Sequence, residues 1–131
     1  MNIATKKPVD STLMTPRALR VKTNIKKDNN LKLKSPFNKI TYERNASVYK
    51  VLAHPVRLEI LNILKLSPCT VEQLLKLVPI SKANISQHLA LLRYAGVVIA
   101  KKSGLYVIYS IVDPRIVEPC AVMRELRRDP R

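Results

Sequence analysis

Tryptophan is absent from this 131-residue chain, which has only two glycines, two cysteines and one phenylalanine. A loop that cradles a nucleotide phosphate needs clustered glycines, so two isolated glycines argue against a nucleotide-binding enzyme. Cys69 and Cys120 are too few and too far apart for a disulfide framework, which favours a reducing compartment. No apolar run approaches the roughly 20 residues that cross a bilayer. We therefore expect a cytoplasmic protein without a membrane span.

Acidic side chains are scarce: 9 Asp and Glu stand against 24 Lys and Arg, which gives a net charge of +15. Residues 1–40 hold ten basic and two acidic side chains, and residues 41–131 hold fourteen and seven, so both parts are basic. This balance is typical of a nucleic-acid-binding protein. The sequence offers no nucleophile–base pairing and no metal cluster, so we expect neither an enzyme nor a cofactor.

Residues 1–40 show no sustained apolar period and are rich in Lys, Asn, Thr, Ser and Pro. Such a segment cannot offset its ordering entropy by burial, so we predict a basic, disordered tail before a folded domain over residues 41–131. The tail is either an arm that adds non-specific DNA affinity by counterion release, or a leader without a role. It lacks the apolar core of a secretory signal, and a transit peptide is a third interpretation.

Two helical patterns open the folded domain. The first helix is expected to begin near Thr41 and must end before Pro55, because the residue before a proline avoids the α region. Its apolar side chains share one face: Tyr42, Ala46, Tyr49 and Ala53. The second helix covers the stretch VRLEILNILKL. Its inward residues are predicted to be Val56, Ile60, Leu61 and Leu64.

A helix–turn–helix pattern then runs from Thr70 to Gly96. Thr70 and Gln73 have the spacing of a capping box, which predicts the start of a third helix. The turn reads VPI, and Ser81 is a preferred N-cap for a fourth helix that reads SKANISQHLALLRYAG. Gly96 is expected to end that helix in the left-handed conformation.

The fourth helix has two chemically different faces. At about 100° per residue, Ile85, Leu89 and Leu92 form one stripe that is predicted to be buried. The opposite face carries small, amide and aromatic side chains: Ala83, Gln87, Ala90 and Tyr94. A purely solvated face would more often carry Lys and Glu, whereas small and amide groups allow close approach to a DNA groove. We therefore interpret this helix as a recognition helix.

Two β-type runs follow, Val97–Lys102 and Leu105–Ile111, which we expect to pair as a hairpin through a Ser-Gly turn. Asp113 and Pro114 favour the start of a fifth helix, but Pro119 leaves open whether it begins at Pro114 or at Pro119. The fold class is therefore mainly α with a small β-hairpin, in the order α-α-α-α-β-β-α. This is a winged helix-turn-helix.

In that architecture the fourth helix enters the major groove, and the hairpin, or wing, lies on the adjacent backbone. Asn and Gln amides can pair bidentately with adenine, and Lys with guanine. The predicted base-reading residues are Lys82, Ala83, Asn84 and Gln87. Ser81 and Ser86 are expected to contact phosphates or to cap the helix, and Lys101 and Lys102 to bind phosphates from the wing. His88 either holds a phosphate or packs beneath the helix.

The stretches LAHPVRLEILNIL, TVEQL, ISKANISQHLALLRYAGVV and LYVIYSI together resemble the ArsR-type winged-helix repressors of bacteria and archaea. The resemblance runs from about Val48 to Cys120 and leaves residues 1–40 outside. It implies a homodimer, built mainly from the first and last helices, that binds an inverted-repeat operator in double-stranded DNA. It also implies release of the operator when an inducer binds. The identity of that effector, a small molecule or an oxidant, stays open.

The resemblance also implies where such repressors hold metals, and those positions differ here. One family site uses a Cys-x-Cys pair at the start of the third helix, where this chain has Thr70 and Glu72. Another uses carboxylate and imidazole ligands on the last helix: Asp113 matches the first ligand, but Arg115 replaces the histidine. A guanidinium cannot bind a metal, because it stays protonated. We therefore expect a member that lacks metal sites.

Cys69 and Cys120 are the candidates for effector chemistry. In one interpretation they form a thiol switch, in which oxidation or persulfide formation distorts the dimer and releases DNA. In the other, each cysteine is a small buried hydrophobic side chain. His54, next to Pro55, is interpreted as structural.

Three functions stay open on the sequence. The first is a dimeric, sequence-specific transcriptional repressor, with a redox- or persulfide-responsive repressor as its variant. The second is a non-specific architectural nucleic-acid-binding protein that is driven by the basic tail. The third is a protein-interaction module, which the basic and acid-free outer face of the fourth helix disfavours.

Overall fold

The computed structural model describes residues 33–128 and residue 130, so the predicted tail lies almost entirely outside that range. The chain divides into two compact units, and one of them, Pro36–Glu118, contains four α-helices, a two-stranded antiparallel sheet and a 3-10 helix. Their bounds are α1 Lys39–Leu52, α2 Pro55–Leu66, α3 Val71–Leu75, α4 Lys82–Tyr94, β1 Val98–Ser103, β2 Tyr106–Ile111 and the 3-10 helix Pro114–Val117. The other unit contains almost all of α5, Glu118–Arg127. The predicted fold class and element order are confirmed.

Helix α1 begins at Lys39, two residues before the predicted start. The Asn38 side chain accepts hydrogen bonds from the Thr41 N–H, at 2.9 Å, and from the Thr41 hydroxyl, at 2.8 Å. Asn38 is therefore the N-cap, because its oxygen satisfies a donor that has no partner inside the helix. The aromatic side chains on the predicted face are exposed, 44% for Tyr42 and 65% for Tyr49.

Helix α2 supplies the centre of the core. Pro55 occupies its first turn, and the His54 ring caps it by accepting a hydrogen bond at Nδ1 from the Val56 N–H, at 3.1 Å. Val56 is half-buried, and the predicted inward residues that are at most 2% exposed are Ile60, Leu61 and Leu64. Further buried aliphatic side chains come from α3, α4, β1 and the 3-10 helix: Leu74, Ile85, Leu89, Leu92, Val98 and Val117. Burying each such side chain contributes about 1.5–3 kcal/mol, so this cluster fixes the orientation of α4.

The short helix α3 carries the predicted capping box. The Thr70 hydroxyl accepts a hydrogen bond from the Gln73 N–H at 3.2 Å, and the Gln73 side-chain oxygen accepts one from the Thr70 N–H at 2.9 Å. Helices this short are not stable on their own, because nucleation fixes several residues for a single hydrogen bond. The cap and the burial of Leu74 therefore hold α3 in place.

Replacing Thr70 with alanine should lower the free energy of unfolding by about 0.5–2 kcal/mol, because the Gln73 N–H then loses its acceptor. Thr70→Ser keeps the hydroxyl and is the matched control, with most of the stability retained. Urea unfolding of the three proteins measures the difference. Equal stability of the parent and Thr70→Ala would contradict the role of the capping box.

The wing forms as predicted, but its turn lies one residue further on. Ser103 pairs with Tyr106, so the turn is Gly104-Leu105 rather than the predicted Ser103-Gly104. Gly104 has a φ of +62° and Leu105 has no positive φ, which is the combination found in a type II′ turn. The glycine takes the first turn position because it adopts a positive φ without a Cβ clash. A leucine that is 97% exposed therefore stands at the wing tip.

The last helix begins at neither of the two expected prolines. Asp113 caps the 3-10 helix that starts at Pro114, and the α-helix begins at Glu118. Pro119 then lies in the first turn of α5, where a missing N–H costs no intrahelical hydrogen bond. Hydrogen bonds from the Arg115 side chain lower the pKa of Asp113 to about 2.

Candidate nucleic-acid interface

Helix α4 is fixed by its N-cap and by its buried stripe. The Ser81 hydroxyl accepts a hydrogen bond from the Asn84 N–H at 3.1 Å, so the predicted cap is confirmed. The stripe consists of Ile85, Leu89 and Leu92, each at most 1% exposed. Because this stripe sets the rotation of the helix about its axis, the opposite face is turned to solvent. The exposed residues on that face are Ala83, Gln87, Ala90 and Tyr94.

The residues predicted to contact DNA from α4 lie together at its N-terminal end. The exposed side chains there are Ser81, Lys82, Ala83, Asn84, Ser86 and Gln87. The helix itself, KANISQHLALLRY, contains no acidic residue. Its end is therefore small, polar and acid-free, which suits insertion into a major groove. The hydroxyl of Ser81 is engaged in the cap, in line with the capping alternative for that residue.

His88 packs against α2 rather than pointing to solvent. It is half-buried, with Nδ1 3.3 Å from Nη1 of Arg57 and its ring centroid 4.7 Å from that of His54. Arg57 also donates through Nε to the Val51 carbonyl oxygen at 2.6 Å, so it connects the end of α1 with α4. These contacts favour the packing interpretation of His88 over the phosphate-binding one. Burial lowers the pKa of His88, and the neighbouring His54 and Arg57 lower it further.

We expect acid to destabilise the domain through His88. A histidine whose pKa is lowered on folding binds fewer protons in the folded than in the unfolded state. This part of the stability is therefore intact above the ordinary value of 6.5 and is lost as the pH falls below it. The free energy of unfolding in urea should be smaller at about pH 5.5 than at about pH 7.5, and His88→Gln should reduce that difference. The same difference in both proteins would exclude His88 as the titrating group.

Lys82 forms an ion pair that the sequence did not reveal. Its Nζ lies 3.0 Å from Oε2 of Glu72, in the first turn of α3. The Lys82 side chain is 66% exposed and the Glu72 side chain 58%. The hydrogen bond from Lys82 lowers the pKa of the Glu72 carboxyl below its ordinary value. The pair joins the two helices of the helix-turn-helix at their N-terminal ends.

The wing presents two lysines that no acidic group of the hairpin neutralises. Lys101 and Lys102 are exposed near the end of β1, opposite Ile108 and Val107 of β2. Residues 98–111 contain neither Asp nor Glu. Since successive side chains of a strand point to opposite faces, the two ammonium groups lie on different sides of the hairpin. This arrangement suits contacts with phosphates rather than with base edges.

A shallow cleft of about 500 Å³ lies between the last turns of α4 and strand β1. Its lining residues are Ala90, Arg93, Tyr94, Val98, Ile99 and Ala100. Arg93 thus stands between the recognition helix and the wing, and as a cation near a helix C-terminus it also complements the helix dipole. The cleft extends the exposed face of α4 to the wing without an acidic group.

Cys69 is buried, and its backbone pairs with that of Tyr109 in an isolated β-bridge. Its Sγ lies 3.3 Å from the Ser67 carbonyl oxygen, and burial raises the pKa of the thiol. A raised pKa reduces the thiolate fraction on which oxidation depends, so the geometry favours the hydrophobic interpretation at this position. Cys120, the other cysteine, is half-buried on α5.

Among the positions where the resemblance implies metal ligands, Glu72 forms an ion pair with Lys82, and Asp113 forms one with Arg115. Within residues 33–128, no group of three or more His, Cys, Asp or Glu side chains is placed to hold a metal ion. None of the helices that the structure describes is both long and apolar enough to cross a membrane.

Comparison with known proteins gives this arrangement a context. Residues 54–100 match the model of the bacterial regulatory protein, arsR family. The chain is 43% identical over 86 residues to Rv0081, an uncharacterized HTH-type transcriptional regulator of Mycobacterium tuberculosis, covering 65% of this chain and 75% of that protein. It is 35% identical over 83 residues to the transcriptional repressor PagR of Bacillus anthracis, covering 60% and 83%.

The structural comparison agrees. The crystal structure of Rv0081 superposes with a TM-score of 0.58 at 40% identity, over 71% of this chain and 90% of that one. The segment that matches the family model begins at the cap of α2 and ends within β1, so it includes the whole helix-turn-helix. The resemblance found in the sequence is confirmed: this chain belongs to the ArsR family of winged helix-turn-helix, DNA-binding transcriptional regulators.

Proposed function

We propose that this protein is a dimeric, sequence-specific transcriptional repressor that binds an inverted repeat in double-stranded DNA. The observation that carries the proposal is the exposed, acid-free face of α4, which a fully buried stripe of three aliphatic residues holds outward. The relative PagR is named a transcriptional repressor, which supports the direction of regulation.

In this proposal, the residues of α4 contact base edges and those of the wing contact phosphates. The amides of Asn84 and Gln87 each offer the donor and acceptor that adenine requires in the major groove. Ala83 has too short a side chain to hold the helix away from the base edges. Lys101 and Lys102 bind phosphates from the wing, which sets the register of the helix in the groove.

Exposed aromatic side chains on one face of α1, together with Phe37 just before the helix, support self-association. Phe37, Tyr42 and Tyr49 are 57%, 44% and 65% exposed, and the rings of Phe37 and Tyr42 meet edge to face with centroids 5.8 Å apart. Aromatic residues are enriched at the centres of protein interfaces. We propose that this face pairs with its copy in a second chain, and that α5 completes the dimer interface, as the family resemblance implies.

The proposal is tested by selecting ligands from a pool of random-sequence duplexes at physiological salt. The full-length chain should enrich an inverted repeat whose half-sites lie about 10–10.5 base pairs apart, or a multiple of that spacing, because a two-fold dimer places two recognition helices on one side of the duplex. Affinity for the selected duplex should exceed that for a random one by about a thousandfold or more. A pool without an enriched sequence would overturn the proposal.

Deleting residues 1–32 separates this function from tail-driven architectural binding. The cut leaves Asn38, the cap of α1, in place. A repressor that reads bases through α4 keeps its preference for the selected duplex after the deletion, although its overall affinity falls. A protein driven by its tail loses binding to both duplexes.

A further inference from the structure

The ion pair between Lys82 and Glu72 places an acidic side chain of α3 against the first residue of α4, whose own exposed face carries no acid. Two other ion pairs are local: Lys39–Glu43 lies within α1, and Arg115–Asp113 joins the 3-10 helix to its own cap. The Lys82–Glu72 pair instead joins α3 to α4. It engages one of the four predicted base-reading side chains before any DNA is present. The interaction must therefore break, or be shared, whenever Lys82 contacts a phosphate or a base.

We propose that Glu72 is a specificity-determining residue: it holds the Lys82 ammonium in the free protein and thereby weakens non-specific DNA binding more than operator binding. The inference rests on the proposed function and deepens it. On random DNA, the phosphates near the end of α4 compete with Glu72 for Lys82. On the operator, Lys82 contacts a guanine edge or a phosphate in a fixed position. Exchanging Glu72 for that contact then costs less binding free energy than it does on random DNA.

The local electrostatics support a retained rather than an incidental pair. Lys82 is the first residue of α4, and a cation there is disfavoured by the positive end of the helix dipole. The Glu72 carboxylate offsets that effect, and the hydrogen bond from Lys82 holds the pKa of this carboxyl below its ordinary value. Both side chains are more than half exposed, so the ammonium can move to an approaching phosphate without unfolding the turn.

The size of the effect follows from the exposure of the pair. Exposed ion pairs of this kind change an equilibrium by about two- to fivefold. Releasing one lysine onto DNA also adds one phosphate contact, which steepens the dependence of log affinity on log salt by about 0.9. An effect on affinity and an effect on the salt slope are thus expected together.

The test uses the full-length chain, Glu72→Gln, Lys82→Met and the double variant, with a 30-base-pair random duplex and the selected duplex as probes. Glu72→Gln should tighten binding to the random duplex about two- to fivefold and steepen the salt slope of that binding. It should also reduce the ratio of the affinity for the selected duplex to the affinity for the random duplex. In the Lys82→Met background, Glu72→Gln should change neither the affinity for the random duplex nor the salt slope. Glu59→Gln, at an exposed position on α2, is the control for net charge.

Two outcomes would overturn the inference. One is that Glu72→Gln tightens binding equally with and without Lys82, or no more than Glu59→Gln does, because the cause is then net charge rather than the pair. The other is that Glu72→Gln leaves the ratio of the affinities for the selected and the random duplex unchanged. If the parent shows no preference for any duplex, the proposed function itself fails, and that result is distinguishable from either of these.

Discussion

Leu89→Ala should lower the free energy of unfolding by about 2–5 kcal/mol, which is a large share of the stability of a domain of this size. Leu89 is 1% exposed and lies between Ile85 and Leu92 in the buried stripe of α4. Removing its side chain loses the transfer free energy of the buried groups and leaves a cavity that the packed core closes only in part. Urea unfolding, extrapolated to water, measures the loss.

Leu91→Ala is the matched control, because it makes the same chemical change in the same helix at a position that is 44% exposed. Its side chain has less burial to lose, and alanine favours the helix slightly more than leucine does. We expect a loss well below that of Leu89→Ala. Equal losses at the two positions would mean that the stripe does not anchor α4, and the assignment of its outer face would fail with it.

Gln87→Ala should weaken binding to the selected duplex by about 1–3 kcal/mol, or roughly 5- to 150-fold, and leave binding to random DNA unchanged. Gln87 is exposed in the middle of the outer face of α4 and carries no charge, so its replacement by alanine leaves the number of charged contacts with phosphates unchanged. The salt slope should therefore stay that of the parent. Fluorescence anisotropy titrations at several salt concentrations give affinity and slope together.

Lys102→Ala is expected to behave in the opposite way. It should weaken binding to both duplexes by a similar factor and reduce the salt slope by about 0.9, because a phosphate contact does not depend on sequence. If Gln87→Ala instead weakened both duplexes alike, Gln87 would be a backbone contact and the base-reading role would have to move to its neighbours.

The parts of the fold that sequence reasoning predicted are those set by short-range signals. The capping box of Thr70 and Gln73, the Ser81 cap and the stripe at Ile85, Leu89 and Leu92 each depend on residues within a few positions of one another. Each of these signals has a local physical cause. A hydroxyl accepts a hydrogen bond from an N–H that is unpaired at the start of a helix, and a period of 3.6 residues places apolar side chains on one face of the helix. The predicted start of α1 was wrong by two residues and the predicted position of the wing turn by one. At each of these boundaries, neighbouring residues compete to serve as the helix cap or as the turn residue.

The electrostatic features of the site were not predictable in the same way. Lys82 and Glu72 are ten positions apart, and Arg57 and His88 are 31 positions apart, with a turn or a whole helix between them. Their meeting depends on how α2 and α3 pack against α4, which the periodicity of any one helix does not contain. The outer face of α4 could thus be predicted from one helix alone, whereas the partner of its first residue could not.

The bridge between Cys69 and Tyr109 has a mechanical consequence. The Cys69 N–H donates to the Tyr109 carbonyl oxygen at 3.0 Å, and the Tyr109 N–H donates back at 2.8 Å, so the wing is fastened to the residue just before the Thr70 cap. Two residues beyond that cap, Glu72 holds the first residue of the recognition helix. We therefore expect a displacement of the wing to be transmitted through Cys69 to the start of α3, which carries the partner of the first residue of α4.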